Sequence, residues 1–474
     1  MDAALRRVSM LDGLQGNVLR GYRHPHALYV FARVRDPGSA RQWLEDERQH
    51  VTSYRGWEHN PTRVTLNVAF TYKGLRRLGV PKARIAHLRA FKEGMPRRSE
   101  QLGDVGVSAK ARWEPELRRQ HHVLLMLTAD DNATLDAAVA RLSERLSAGP
   151  ALEIVYRQHA HRLETGGEHF GFADGFSQPA IAGVPGSGPR VGEGTFTRWR
   201  YWRRLALGDF VLGYRDEGGL FAPAPHGPLG DDATFMVLRK LHQDVASFRR
   251  YIDETARRFG QEPDWLRAKM VGRWPNGSSI ARYPDKPGPP ASRDPKASRF
   301  RYGKDPHGRR CPVGAHVRRA NPRESGHWQG RPTQRHRMIR RGMSYGPELP
   351  KGRNGDDGED RGLIFVCYQA DIERQFEFVQ QRWLADGNSL QLGADRDPVV
   401  ASAGALNRRA GRRPAASGLA RGGAGERVAP GRMVIPGDPP LFLTGIPNFV
   451  QTRGGGYYLV PGAAGLRAIA AGSC

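Results

Sequence analysis

One order of elements recurs along the chain and limits what it can fold into. Ala27–Val34 is a compact apolar run and reads as a buried strand. Val64, Leu66, Val68 and Phe70 alternate with Thr65, Asn67 and Ala69, so this stretch reads as a strand with one face inward. His121–Thr128 and Leu152–Gln158 supply a third and a fourth strand. Between them Leu135, Val139, Leu142 and Leu146 share one helical face, with Asp131 or Asn132 placed to cap its start and Gly149-Pro150 to stop it. This mixture is that of an α+β layer, with helices on one face of a small sheet. The order then returns. Phe235–Leu238 reads as a strand, and a helix follows with Val245, Phe248, Ile252, Ala256 and Phe259 in phase, ending at Gly260. Leu363–Tyr368 is again a strand, followed by a helix with Ile372, Phe376, Val379 and Trp383 in phase and by a late strand, Tyr457–Val460. The expectation is a second layer of the same kind carrying long insertions, although no residue-level repeat accompanies the recurring order.

The connecting segments are polar and rich in glycine and proline. Asp12–Gly21 reads as a turn-rich lead-in, and Gly194–Gly219 and Tyr283–Arg310 read as loops. Ala401–Arg432 is low-complexity Ala/Gly/Arg and reads as a flexible excursion. The formal net charge of +26 could draw polyanions. The excess is mostly arginine, is spread along the chain and lacks a stacking-aromatic signature, so a solvated basic surface is favoured over a nucleic-acid interface. No stretch approaches the roughly 20 apolar residues of a membrane helix. The N-terminal residues show no apolar signal core, and Cys311, Cys367 and Cys474 form neither a zinc-type pair nor a disulfide framework. A cytoplasmic setting is expected.

Candidate chemistry gathers between Cys311 and Gly346. His316 lies among Arg318, Arg319 and Arg323, and Arg337, Arg340 and Arg341 follow. Histidine can ligate a metal, and arginine binds carboxylates bidentately. A lone histidine among arginines therefore suggests an iron porphyrin, with imidazole on the metal and guanidinium groups on the propionates. A solvated basic patch is the competing reading and, on this stretch alone, the favoured one. Upstream, Asp174 sits between Gly171 and Gly175, where it could serve as a proton shuttle or as a turn acid bonded to its own backbone. Asp371 precedes a helix, so capping is its simplest role; accepting the second N–H of a metal-bound histidine is the functional one. The other histidines show no metal-ligand spacing, and there is no nucleophile elbow or phosphate-binding glycine loop.

Taken in order, Gly171-Phe172-Ala173-Asp174-Gly175, then Gly314-Ala315-His316-Val317-Arg318 with Asn321-Pro322-Arg323, then Ile339-Arg340 before Tyr345-Gly346 resemble the dye-decolourising (DyP-type) haem peroxidases. The resemblance begins at Leu14–Gly21 and runs to Gly454–Pro461. It implies an α+β fold of two ferredoxin-like domains, antiparallel sheets with packed helices, enclosing haem b. The expected division is residues 1–165 and 166–474, the second binding the haem and carrying the 401–432 insertion. It implies that His316 is the proximal iron ligand and Asp371 its hydrogen-bonding acid. Asp174 and Arg340 are expected on the distal side, and Gly175, Phe176 and Ser177 in the loop over that face. Asn321, Pro322 and Arg323 are expected near the haem, Arg323 as a propionate partner, and the remaining arginines of the stretch facing solvent. The implied activity uses hydrogen peroxide to oxidise dyes and phenolic or aromatic donors in one-electron steps through a ferryl intermediate. A haem-binding or iron-releasing protein of the same fold is the alternative. No specific nucleic-acid partner and no membrane is expected, and a homo-oligomer is left open. Tyr345 matches a surface tyrosine that carries electrons in some relatives, though a structural role in its turn is favoured. The insertion at 401–432 is longer and less orderly than the family's usual connection.

Overall fold

The computed structural model describes residues 11–147, 149–184, 192–197, 199, 201–325, 332–353, 355–400 and 431–474. Nine strands of the described residues form one sheet. In chain order they are β1 (His26–Val34), β2 (Val64–Phe70), β3 (Val123–Ala129), β4 (Leu152–His161), β5 (Thr234–Gln243), β6 (Ile339–Arg340), β7 (Met343–Tyr345), β8 (Gly362–Gln369) and β9 (Val450–Val460). The first four line up as β4-β1-β3-β2, and the others as β9-β5-β8-β6, with β7 also on β8. Each half therefore places its fourth strand beside its first and its third beside its second, all antiparallel. Helix α1 (Pro37–Glu47) follows β1 and α2 (Asn132–Ser147) follows β3. Helix α3 (Val245–Phe259) follows β5, and π-helical turns Glu373–Glu377 and Val379–Leu384 follow β8. This is the ferredoxin-like β-α-β-β-α-β order, used twice. The recurring element order visible in the sequence is thus a structural duplication.

Strand alternation gives the sheet two buried faces. One carries Leu28, Val30, Val68, Leu125 and Val237 and packs on α1, α2 and the C-terminal helix Ala463–Ala471. The other carries Tyr29, Phe31 and Met126 from the first half and Met236, Tyr368 and Tyr458 from the second, which share one core. This corrects the expectation that β2 turns only one face inward. Its polar residues Thr65 and Asn67 are buried too. They survive there because each is hydrogen-bonded, Thr65 to the hydroxyl of Thr128 at 2.8 Å and Asn67 to Tyr22 and Gln15.

The halves meet along β2 and β9, whose ladder contains a single residue pair, Phe70 with Leu459. Backbone groups beyond that pair need other partners. The lead-in provides them. Gln15 donates through Nε2 to the carbonyls of Val68 (2.8 Å) and Pro461 (3.0 Å), and its Oε1 accepts from Val68 N–H at 2.9 Å. One buried amide therefore extends the joint between the two halves. Next to it, Gly16–Leu19 forms a short helical turn, and Asn17 Nδ2 donates to Tyr368 Oη at 2.7 Å.

A third core lies beside the sheet, under α3. It gathers Phe170 and Phe172 from the connection between halves, Trp274, Cys311 and Ala315, and the hairpin Gly431–Ile435/Leu441–Ile446. The loops that carry the candidate site are thus bound to packed structure. Residues 401–430 of the expected excursion lie outside the described residues.

Replacing Gln15 by Leu keeps the apolar volume but strips partners from three buried backbone groups. At about 1–3 kcal/mol for a buried group left unsatisfied, Gln15→Leu is expected to lower the unfolding free energy by roughly 2–5 kcal/mol. Urea denaturation of wild type and variant reads this directly; equal midpoints would contradict the bridging role.

Candidate functional site

His316 opens a five-residue helix, α4 (His316–Ala320). The turn before it is closed by Ala315 N–H donating to Pro312 O at 3.0 Å. The helix ends at Asn321 because Pro322 disfavours helical geometry in the residue before it. His316 Nδ1 lies 2.9 Å from Asp397 Oδ2. A carboxylate only accepts, so Nδ1 carries the proton and Nε2 presents its lone pair. The carboxylate is itself oriented, with Oδ1 accepting from Val399 N–H at 2.9 Å and Val400 N–H at 3.0 Å. The Asp397 side chain is 0% exposed, whereas that of His316 keeps 29% exposure. One edge of the imidazole is held and the other is open.

Burial pushes the His316 pKa down, but the Asp397 charge and hydrogen bond outweigh it and leave it above the ordinary 6.5. Burial pushes Asp397 up, and His316 with Arg319 brings it below the ordinary 3.8. The two partners favour opposite charges on each other.

Asp371 is therefore not the acid on this histidine. Its Oδ1 accepts from Arg374 N–H at 3.0 Å, while its own N–H donates to Gln375 Oε1 at 2.9 Å. Asp371 thus caps the start of the π-helical segment, the simpler of the two roles read from the sequence. The histidine helix instead meets the far end of that segment, where Arg319 Nη1 donates to Trp383 O at 2.9 Å. The acid that sequence reasoning missed is the second aspartate of Asp395-Arg396-Asp397-Pro398. That motif is visible in the sequence, but nothing local to it points at residue 316.

The second set of expected site residues lies on the Gly171–Ser177 loop. Gly171 (φ 94°) and Gly175 (φ 86°) adopt left-handed geometry that side chains disfavour, so the chain turns sharply on either side of Asp174. Upstream, Glu168 accepts from Phe170 and Phe172 N–H, each at 3.0 Å, and Ala173 N–H donates to Pro275 O at 2.8 Å. Asp174 is exposed, with Oδ1 accepting from Gly175 N–H at 2.6 Å. Arg340 closes the loop: Nη2 donates to Phe176 O (2.9 Å) and Ser177 O (3.0 Å). Gln178 binds the backbone of Arg340 in both directions. The charges of Arg340 and Glu168 both act on His316, Arg340 lowering its pKa and Glu168 raising it.

Positive charge accumulates at the rim. Arg323 is buried, donates to Gly192 O and Phe300 O at 3.0 Å each, and lies 3.9 Å from the centre of the Phe300 ring. Arg273 is buried and donates to Ser177 Oγ at 2.9 Å. Arg337 is buried with Glu193 at 3.7 Å. Burial pushes Arg273 down to about 10, with Arg323 and Arg340 adding repulsion. Burial likewise pushes Arg337 down to about 10, against the pull of Glu193. Among the described residues, Glu193 is the one carboxylate within ion-pair distance of these four arginines. Asn321 Oδ1 is buried without a partner, and Pro322 is buried beside it. An open imidazole edge and a surplus of guanidinium groups fit a cofactor with a ligatable metal and carboxylate arms.

Tyr345 is 3% exposed; its hydroxyl lies 3.2 Å from Asp360 Oδ1 and Lys240 Nζ sits 4.7 Å from its ring centre. It is a buried, paired side chain. Arg318 and Arg319, expected to face solvent, are buried as well.

Two family profiles match the chain. One, described as the DyP dimeric alpha+beta barrel domain, covers residues 13–162; the other, described as Dyp-type peroxidase, C-terminal, covers residues 292–398. Dye-decolorizing peroxidase msp1 of Mycetinis scorodonius is 28% identical, over 97% of this chain and 87% of that protein. Multifunctional dye peroxidase DyP2 of an Amycolatopsis species is 28% identical, over 79% of this chain and 81% of its own length. The solved structure of an ancestral D-type dye decolorizing peroxidase superposes with a TM-score of 0.80 at 26% identity, covering 96% of this chain and 98% of that one.

The pKa directions give a signed expectation for the protein without cofactor. The raised His316 value contributes stability that is full below 6.5 and lost as pH rises through the folded value. The lowered Asp397 value contributes stability that is present above 3.8 and lost as pH falls through its folded value. The stability gap between wild type and Asp397→Asn is therefore expected to be widest at about pH 5–6 and to narrow on either side. Urea midpoints across pH would show it; a flat gap would contradict the pairing.

Proposed function

The chain belongs to the DyP-type peroxidase family and is a peroxidase, and from that premise we propose that it binds haem b and uses hydrogen peroxide to oxidise dyes and phenolic or other aromatic donors. The observation that carries this reading is the His316–Asp397 pair, whose open imidazole edge lies within the field of Arg340. When bound, haem b would supply a redox-active iron that accepts oxidising equivalents from peroxide and passes them on one electron at a time.

The chain's own residues have separable tasks in this proposal. His316 Nε2 holds the metal, and Asp397 fixes the tautomer and raises the electron-donating power of the ring. Arg323, with Arg273 and Arg337, receives the carboxylate arms, and Asn321 and Pro322 line the same side. Gly175, Phe176 and Ser177 pass over the opposite face. Asp174 would take a proton from incoming hydrogen peroxide at its carboxylate and hold it there. Arg340 stabilises the negative charge that this transfer creates. The division into residues 1–165 and 166–474 belongs to the same proposal, since His316, Asp174 and Arg340 all come from the second part. Cys311, Cys367 and Cys474 are free thiols. Among the described residues, no helix is long and apolar enough to cross a membrane.

Purified protein is expected to show a Soret band after haem supplementation, and His316→Ala to lose it. Arg340→Leu is expected to retain haem but slow the stopped-flow reaction with peroxide by about a hundred- to a thousandfold. A colourless wild type would overturn the cofactor assignment, and an unchanged rate would remove Arg340 from the peroxide step. A Soret band without turnover of an anthraquinone dye would favour the haem-binding alternative.

A further inference from the structure

Arg319 is 0% exposed, yet among the described residues no carboxylate lies within ion-pair distance of it. Its donors go to three backbone carbonyls: Nε to Gly314 O at 3.1 Å, Nη1 to Trp383 O at 2.9 Å and Nη2 to Asp395 O at 2.5 Å. These come from three separate segments. Each acceptor adjoins a group that places the His316–Asp397 pair. Gly314 is two residues before His316. Trp383 precedes Leu384, whose carbonyl accepts Asp397 N–H at 2.9 Å. Asp395 is two residues before Asp397, and its own side chain is turned to Arg432 Nε at 2.9 Å. Arg319 also sits on α4, three residues after His316.

A planar guanidinium can hold three carbonyls from different directions at once; an ammonium on a flexible stem cannot reproduce that fork. Burying such a cation is costly unless its donors are used. An apolar side chain would fill the space without joining the segments.

We infer that Arg319 is a positioning residue which locks the Asp397 carboxylate onto His316 Nδ1 by clamping the three segments that carry them, and so sets how firmly His316 holds its metal. The inference rests on the haem reading above. Arg319 spends its donors on three backbone carbonyls and acts through the alignment of Asp397.

The test uses full-length enzyme reconstituted with haem, as wild type, R319K, D397N and R319K/D397N. In R319K, transfer of haem to apomyoglobin is expected to accelerate about ten- to a hundredfold, the scale found for partners behind a metal ligand. The iron–histidine stretching band of the ferrous enzyme is expected to shift to lower frequency. In the D397N background R319K should add little to either readout, because the two act on one contact. Full additivity, or an R319K enzyme with wild-type haem transfer and an unmoved band, would overturn the inference. R319Q serves as a second variant if R319K does not fold; failure of both to fold would mark Arg319 as a general structural residue and also overturn it. A further readout needs no haem: the His316 Nδ1–H resonance of the histidine-labelled apoprotein should exchange faster in R319K than in wild type. If wild type binds no haem, the cofactor reading fails while this measurement still decides the role of Arg319.

Discussion

The second half of this protein is held together by guanidinium groups that hydrogen-bond to backbone carbonyls. Long irregular loops leave carbonyls without ladder partners, and a buried unsatisfied carbonyl is costly. Arginine has five donors and no acceptor, so one side chain can serve carbonyls from several loops. Arg318 donates to Cys311 O at 2.6 Å and Asp305 O at 2.8 Å, and Arg361 donates to Pro347 O at 2.7 Å. Arg319, Arg323 and Arg340 do the same around the site. The large positive charge is therefore not only a solvated coat. Part of it is internal framework, which explains why the excess is mostly arginine without invoking a nucleic-acid partner.

The same chemistry explains how the site acquires its charge. A guanidinium that staples a loop keeps its full positive charge, since a neutral carbonyl cannot cancel it. Arg273 and Arg337 each lie close enough to Arg323 and Arg340 to be repelled by them, with Glu193 as the acid paired with Arg337. Such a cluster is stable only if something anionic shares the space or if the surrounding fold supplies the missing energy. The stapling of the Ser177 loop by Arg273 and Arg340 belongs to that supply. In the proposed site, framework and binding chemistry would be two uses of the same residues.

Periodicity makes the fold legible. Strands and helices stand where apolar alternation puts them because that signal is local, and the duplication follows from element order. The interior polar face of β2 is not legible, because Thr65 and Asn67 are polar letters whose partners, Thr128 and Gln15, lie far away in sequence. The site divides in the same way. Of the residues proposed for the site, His316, Asp174 and Arg340 stand out by their local motifs. Asp397 does not, since a capping acid such as Asp371 and a histidine partner look alike until the chain is folded. Asp371 is the more conspicuous because a recognisable helix pattern follows it, and that pattern is what its carboxylate serves.

The long segment between Val400 and Gly431 enters and leaves beside the histidine's acid. Asp397 Oδ1 accepts from Val400 N–H at 3.0 Å just before the segment begins, and Arg432 Nε binds Asp395 Oδ1 at 2.9 Å just after it ends. Both ends are thus tied to the same three-residue motif. The acid that orients His316 is thus held from Val400 on one side of residues 401–430, and its neighbour Asp395 from Arg432 on the other.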